Sequence, residues 1–295
     1  MSITASNFYE KGVLINVRAG GYRGRKKLPK EKLGELPPEI VRGVHDLFDK
    51  EFKTLLSNIR SFDGTSRDVV KNQSVPFPIE GIYFINSSRM VAILDILEGR
   101  KESRQALIQE AVDNYEGAIT IFAEKYPEFY AMAKSKYPSK EEFEKRFYFD
   151  YNLIKISSPN QDDPFMTAEM YRSEMNKFRQ TIDEMKNEVL STIASTLLEA
   201  TKRLTDQCTE GKPNQRTLDN LNKFLKQVDD VYSDFIDRDD LKSAIANVRA
   251  SILGVDAESL RSQEDFKKEF KKSISSAADC IKALPDVKLK RSIEF

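Results

Sequence analysis

The sequence predicts a mainly α-helical fold, with long helices forming a helical hairpin or coiled-coil bundle and a small antiparallel sheet in the N-terminal half. Three observations carry this expectation. The 46 residues from Phe165 to Glu210 contain neither Gly nor Pro. Within them Met175, Phe178, Ile182, Met185, Val189, Ile193, Leu197, Ala200 and Leu204 recur in steps of three and four, eight steps over 29 residues, which is the 3.6-residue period of an undistorted helix. Only 12 Gly and 11 Pro occur in 295 residues, too few for the turns of a sandwich or barrel, and period-two alternation is confined to short stretches before residue 157.

Composition narrows the function classes. Lys+Arg and Asp+Glu are balanced at 47 each, so any electrostatic argument for a partner must be local. Cys208 and Cys280 stand 72 residues apart without CxxC spacing, and His45 is the single histidine; this excludes a structural zinc site or haem attachment and reads as two reduced thiols. Met1 to Lys11 has no basic start followed by an apolar run, and no apolar run approaches the ~18 residues of a membrane span. The expectation is a cytoplasmic protein with no membrane segment, no cofactor, no metal and no small-molecule substrate.

In chain order, Val13–Val17 is an apolar run ending at Gly20-Gly21, a strand and a turn. From Arg18 to Lys32 seven basic residues face one acid, Glu31. The segment Gly20 to Lys26 superficially resembles a phosphate loop, but the Walker pattern needs four residues between its glycines and then Lys-Ser/Thr, and neither is present. What remains is a basic Gly/Tyr loop. Tyr22, Arg23, Arg25, Lys26 and Lys27 are its contact candidates, for a nucleic-acid backbone or for an acidic protein surface. Pro37-Pro38 opens a helix with Ile40, Val44, Leu47, Phe48, Leu55 and Ile59 inward and His45 beside them. Asp63 to Pro78 reads as a loop, Gly81–Ile85 as a second strand, and Met90–Lys136 as a long helical stretch broken at Gly99 and Pro127. Ser139 with Glu142 forms a capping box. Phe147, Phe149, Tyr151 and Leu153 alternate with Tyr148, Asp150 and Asn152, a third strand. Ser157 to Pro164 is the clearest boundary.

Beyond the long helix, Gly211-Lys212-Pro213 reverses the chain. Leu218, Leu221, Leu225, Val228, Tyr232 and Phe235 form a clean heptad that folds back as a hairpin. The packing interface is therefore assigned to Phe178, Ile182, Met185, Val189, Leu221, Leu225, Val228 and Tyr232. Leu241, Ile245, Val248 and Ile252 follow to Gly254, and a last helix runs from about Ala257 to Pro285. The acidic group Asp229, Asp230, Asp234, Asp237, Asp239 and Asp240 has no turn glycine for a calcium loop and reads as helix starts and exposed faces. No Ser-His-Asp set, Cys-His pair or paired carboxylates can be assembled.

Three motifs carry a resemblance: the early strand with Gly-Tyr-Arg-Gly-Arg-Lys-Lys-Leu (Gly21 to Leu28), Arg146-Phe147-Tyr148-Phe149, and Phe235-Ile236-Asp237 before a new helix. In this order the chain resembles an uncharacterised helical family of phages and bacteria, whose members are often encoded beside MoxR-type AAA+ ATPases and proteins with von Willebrand A domains. The resemblance implies a partner, substrate or adaptor of an ATP-driven remodelling machine. It carries over no functional residue.

The expected organisation is a mixed domain at 1–158, a helical-hairpin or coiled-coil domain at 164–285 and a basic tail at 286–295. The expected function is that of a non-enzymatic interaction or assembly protein, self-associating or bound to a AAA+ ATPase. The alternative is a nucleic-acid-associated protein that binds through residues 18–32.

Overall fold

The structure, a computed structural model, describes residues 3–5, 7–26 and 45–284. Its elements run α1 (Phe8–Lys11), β1 (Gly12–Gly20), β2 (Arg25–Lys26), β3 (His45–Asp46), α2 (Lys50–Asn72), β4 (Val75–Pro76), β5 (Ile82–Asn86), α3 (Ser87–Lys125), α4 (Pro127–Ala133), α5 (Lys140–Glu144), β6 (Tyr148–Ile154), α6 (Ala168–Thr209), α7 (Gln215–Gln227), α8 (Asp239–Ile252), α9 (Ala257–Ser262) and α10 (Glu264–Lys282). The protein is mainly helical, with a small antiparallel sheet of strand order β4-β5-β1-β6 in its N-terminal part and a separate β2-β3 ladder that pairs Arg25 with Asp46 and Lys26 with His45.

Packing divides the chain into two compact units, and neither follows a single cut. The first comprises Met1–Leu14, Gln73–Met90 and Ile154–Phe295; the second comprises Ile15–Asn72 and Val91–Leu153. This division gives two early segments, Met1–Leu14 and Gln73–Met90, to the unit that holds the C-terminal helices. The tail at 286–295 lies outside the described residues.

The first unit is built around α6, 42 residues and about 63 Å long at ~1.5 Å per residue. From Ile182 onward its stripe is buried. Between Val189 and Leu197 burial extends nearly all round the helix, taking in Leu190, Ser191, Ala194, Ser195 and Thr196. Further along, the buried Thr201 Oγ1 bonds back to its own helix at the Leu197 carbonyl, 2.8 Å away. Thr167 caps the start of α6 through the Met170 amide at 3.2 Å.

The principal neighbour of α6 is α10, and α8 packs on α10 in turn; α7 makes a smaller contact. α6 and α7 thus meet within a several-helix packing. The heptad of α7 is corrected. The α-helix ends at Gln227, Val228–Tyr232 forms a π turn and Ser233–Phe235 a 3₁₀ turn, yet all six heptad residues stay buried. A π turn widens the helix by one residue, so the buried face is kept while the backbone changes pitch. The last helix divides into α9 and α10, with Asp256 accepting from the Ser259 amide at 2.8 Å as the cap of α9.

Of the eight assigned packing residues, Ile182, Met185, Val189, Leu221, Leu225, Val228 and Tyr232 are buried in one core, and Phe178 packs partly buried against it. Ile3, Phe8, Leu14, Val75, Phe77 and Phe84 belong to the same core. A polar group ties these early segments in. The Asp234 carboxylate accepts from Lys11 Nζ at 3.2 Å and from Asn86 Nδ2, its carbonyl accepts from the Ile3 amide at 2.8 Å, and Arg89 joins Asp230 to Gln73.

The second unit has an aromatic core. Tyr115 and Phe143 stack at 4.1 Å and 17°, and Phe48, Phe52, Phe122, Phe129 and Tyr22 surround them. Several sequence expectations change here. Pro37, Pro38, Ile40 and Val44 lie outside the described residues; Leu47 and Phe48 precede α2, which begins at Lys50, and His45 stands in β3. Gly64, read as part of a loop, is inside α2, and Gly99 is inside an unbroken α3. A Cβ at either would meet nothing within 4 Å, so these glycines serve no turn. Each costs a helix roughly 1 kcal/mol against Ala, less than the burial of Phe52, Leu56, Ile59 and Val70 along α2 returns. Pro127 does end α3 and opens α4. Ser139 caps α5, its hydroxyl accepting from the Glu142 amide at 3.2 Å.

Candidate anion-binding cleft

Arg60, Asp63 and Arg67 follow one another on α2 at spacings of three and four, so they share one face of that helix. The end of β1, Ala19-Gly20-Gly21, passes beside this face, with Tyr22, Arg23 and Arg25 following; Lys145 and Arg146, between α5 and β6, face it with Phe147 and Tyr148. Together these residues enclose a cleft of about 700 Å³. A second hollow of about 290 Å³ shares Arg23, Arg25 and Arg60 and adds Lys50 and Lys53.

Six cationic side chains line the larger cleft against one carboxylate, Asp63. That carboxylate is already matched. Arg104, on α3, donates from Nε to Asp63 Oδ1 at 2.5 Å and from Nη2 to Oδ2 at 3.1 Å, and Nη2 also reaches the Gly20 carbonyl at 2.9 Å. The side chains of Arg104 and Asp63 are only 2% and 7% exposed, so the pair forms a fixed, neutral floor that also pins β1. Arg67 Nη2 donates to the Ala19 carbonyl at 2.7 Å. Arg25 and Lys53 share Asp46, at 2.9 and 2.6 Å. Arg23, Arg60, Lys145 and Arg146 are exposed, and no carboxylate of the described residues pairs with them.

Two glycines let aromatic rings lie on the β1 backbone. A Cβ at Gly20 would fall 2.5 Å from the Tyr148 ring, and one at Gly21 2.9 Å from the Phe147 ring. Consecutive strand residues point to opposite faces, which sends Phe147 toward the aromatic core, half-buried, and leaves Tyr148 51% exposed at the cleft.

The sequence-assigned contact residues have mixed placements. Arg23 and Arg25 line the cleft. Tyr22 does so as well, with its ring in the core, 6% exposed. It packs edge-on against Phe143 at 5.5 Å with the Arg146 guanidinium over its ring at 5.1 Å. Its hydroxyl is buried with no hydrogen-bond partner among the described residues. Burial pushes the Tyr22 phenol pKa up, with Arg146 opposing. Lys26 stands in β2, and Lys27 lies outside the described residues. Sequence reasoning missed Arg60, Arg67, Lys145, Arg146 and Tyr148 as site residues. The available signals were the two-turn spacing of Arg60 and Arg67 and the basic pair immediately before the alternating aromatic strand.

The acidic group of the first unit is engaged by cations. Asp229 bonds to Arg249, Asp230 to Arg89, Asp234 to Lys11, Asp237 to Lys186, Asp239 to Lys242 and Asp240 to Arg238. Among the described residues no group of three or more His, Cys, Asp or Glu side chains is arranged to hold a metal ion, and no helix is long and apolar enough to cross a membrane. Cys208 is buried and Cys280 exposed.

Residues 10–229 match the model of a family described as Protein of unknown function (DUF3150). No curated protein and no solved structure matches the chain.

Proposed function

The chain belongs to the DUF3150 family, and from that premise we propose that it is a non-enzymatic binding protein whose cleft holds the phosphate backbone of a nucleic acid. The observation that carries this reading is the cleft's charge. Six Arg and Lys side chains converge on about 700 Å³, and the one carboxylate there is taken by Arg104. Cations held close together repel one another, and a polyanion relieves that repulsion while releasing its condensed counterions. Four of the six are exposed arginines and lysines without carboxylate partners, ready to meet phosphates.

The test is binding of a fluorescent oligonucleotide between 50 and 200 mM salt. Log affinity should fall linearly with log salt, by about 0.7 per phosphate contact for a single strand. Arg23→Ala and Arg60→Ala should each weaken binding about tenfold and flatten that slope. The adaptor role, docking on the acidic surface of a protein such as a AAA+ ATPase, draws on the same cations. It becomes the better reading if oligonucleotide binding is absent or indifferent to these substitutions.

A further inference from the structure

We infer that the cleft takes an unpaired strand and stacks one of its bases on Tyr148; this rests on the phosphate-binding reading above. Charge alone does not separate a single strand from a duplex or from any other chain of phosphates, but an available ring face does. Tyr148 is the large aromatic side chain of the cleft that stays open. Its neighbour Phe147 is half-buried and Tyr22 is closed into the core. The Tyr148 ring lies on the backbone at Gly20, where even a methyl group would come within 2.5 Å of it, and this support leaves about half of its surface exposed.

Gly20 is itself held. Its carbonyl accepts from the buried Arg104, and the preceding Ala19 carbonyl accepts from Arg67. The platform under the ring is thus anchored by two guanidinium groups, one of which also lines the cleft. A flat ring beside Arg67, Lys145 and Arg146 is the combination that single-strand binders use, cations along the backbone and an aromatic face for a base. Size agrees, since about 700 Å³ lies within the ~300–1,000 Å³ of a small-molecule pocket. That space accommodates a nucleotide or two of an extended strand and not the body of a duplex.

The chain has no tryptophan, so Tyr148→Trp introduces a lone reporter at the platform. The full chain carrying it is titrated with a thymidine 20-mer, the same sequence as a duplex, thymidine monophosphate and inorganic polyphosphate. The single strand should quench the tryptophan and bind at least tenfold tighter than the duplex or the mononucleotide, while polyphosphate should bind without quenching. Tyr148→Ala should weaken single-strand binding on the order of tenfold and leave polyphosphate affinity unchanged, and Tyr148→Phe should restore it. Equal affinity for strand and duplex, or an unquenched tryptophan with the strand bound, overturns the stacking inference and leaves the phosphate reading intact. Failure of every polyanion to bind at 50 mM salt overturns both.

Discussion

The helical unit and the cleft-bearing unit bury different chemistry. The first fills its core mainly with aliphatic side chains on α6, α7, α8 and α10, such as Leu197, Leu204, Leu221, Val248 and Ile274, with scattered rings among them, and its acids and bases are paired along the outside. The second packs aromatic rings around Tyr115 and Phe143, buries an ion pair, and leaves a group of cations open to solvent. An aliphatic helical core is satisfied by its own chain. A ring of like charges destabilises the fold that carries it, and such an arrangement acquires a physical rationale when a ligand of opposite charge joins it.

Three experiments sharpen or break this contrast. The largest effect belongs to the aliphatic core. Leu221 is fully buried, and Leu221→Asp places a charge with no partner there, at a cost above about 4 kcal/mol. Thermal unfolding should show a collapse of the transition, and a variant that melts like wild type breaks the packing assigned to α7. Next is the floor of the cleft. Arg104→Met strands the Asp63 carboxylate and should cost about 3–5 kcal/mol, whereas adding Asp63→Leu should recover most of it, because removing a buried pair together costs little. If the single variant is as stable as wild type, the pair is no anchor; by contrast Arg23→Ala and Arg60→Ala should stay within about 0.5 kcal/mol.

The smallest effect is on the charged exterior of the helical unit. The hydrogen bond from Lys186, at 2.5 Å, holds the Asp237 carboxyl below its usual pKa. A lowered carboxylate pKa stabilises the fold above the ordinary value, near pH 4, and that contribution is lost as pH falls through the lowered one. Lys186→Met should therefore lower the melting temperature at pH 7 and lose most of that difference by pH 2. A difference that persists in acid would assign the effect to lost packing of the lysine stem.

Much of this was legible along the chain. The absence of Gly and Pro through α6, the three strand stretches and the Ser139 cap are local signals, and each is found within a few residues of its expected place. Gly64 and Gly99 misled because a glycine in a helix costs little where neighbouring positions bury well. The π turn at Val228 lies within an unbroken apolar pattern and leaves no mark on it. Two of the six cleft cations were legible as well, since Arg23 and Arg25 sit in one dense basic segment. The other four come from α2 and from the approach to β6, where single cations look like ordinary solvated surface until the fold gathers them. Tyr22 was legible as a tyrosine in a basic loop but not as a buried one, because its neighbours Phe48, Phe143 and Arg146 are remote in sequence.

The bond between Lys11 and Asp234 spans 223 residues and that between Asn86 and Asp234 spans 148. On the ribosome, the segments carrying Ile3, Phe8 and Phe84 are therefore synthesised long before the helices that cover them. Ile15–Asn72 and Val91–Leu153 can close around their aromatic core while translation continues. The early apolar segments of the other unit must wait until α6 and the turns around Asp234 have emerged, since Phe8 packs on Phe178 and Phe84 on Phe235. Pairings over such separations also slow refolding of the released chain. Folding should thus proceed in two stages, with the cleft-bearing unit first and the closing of the helical unit last.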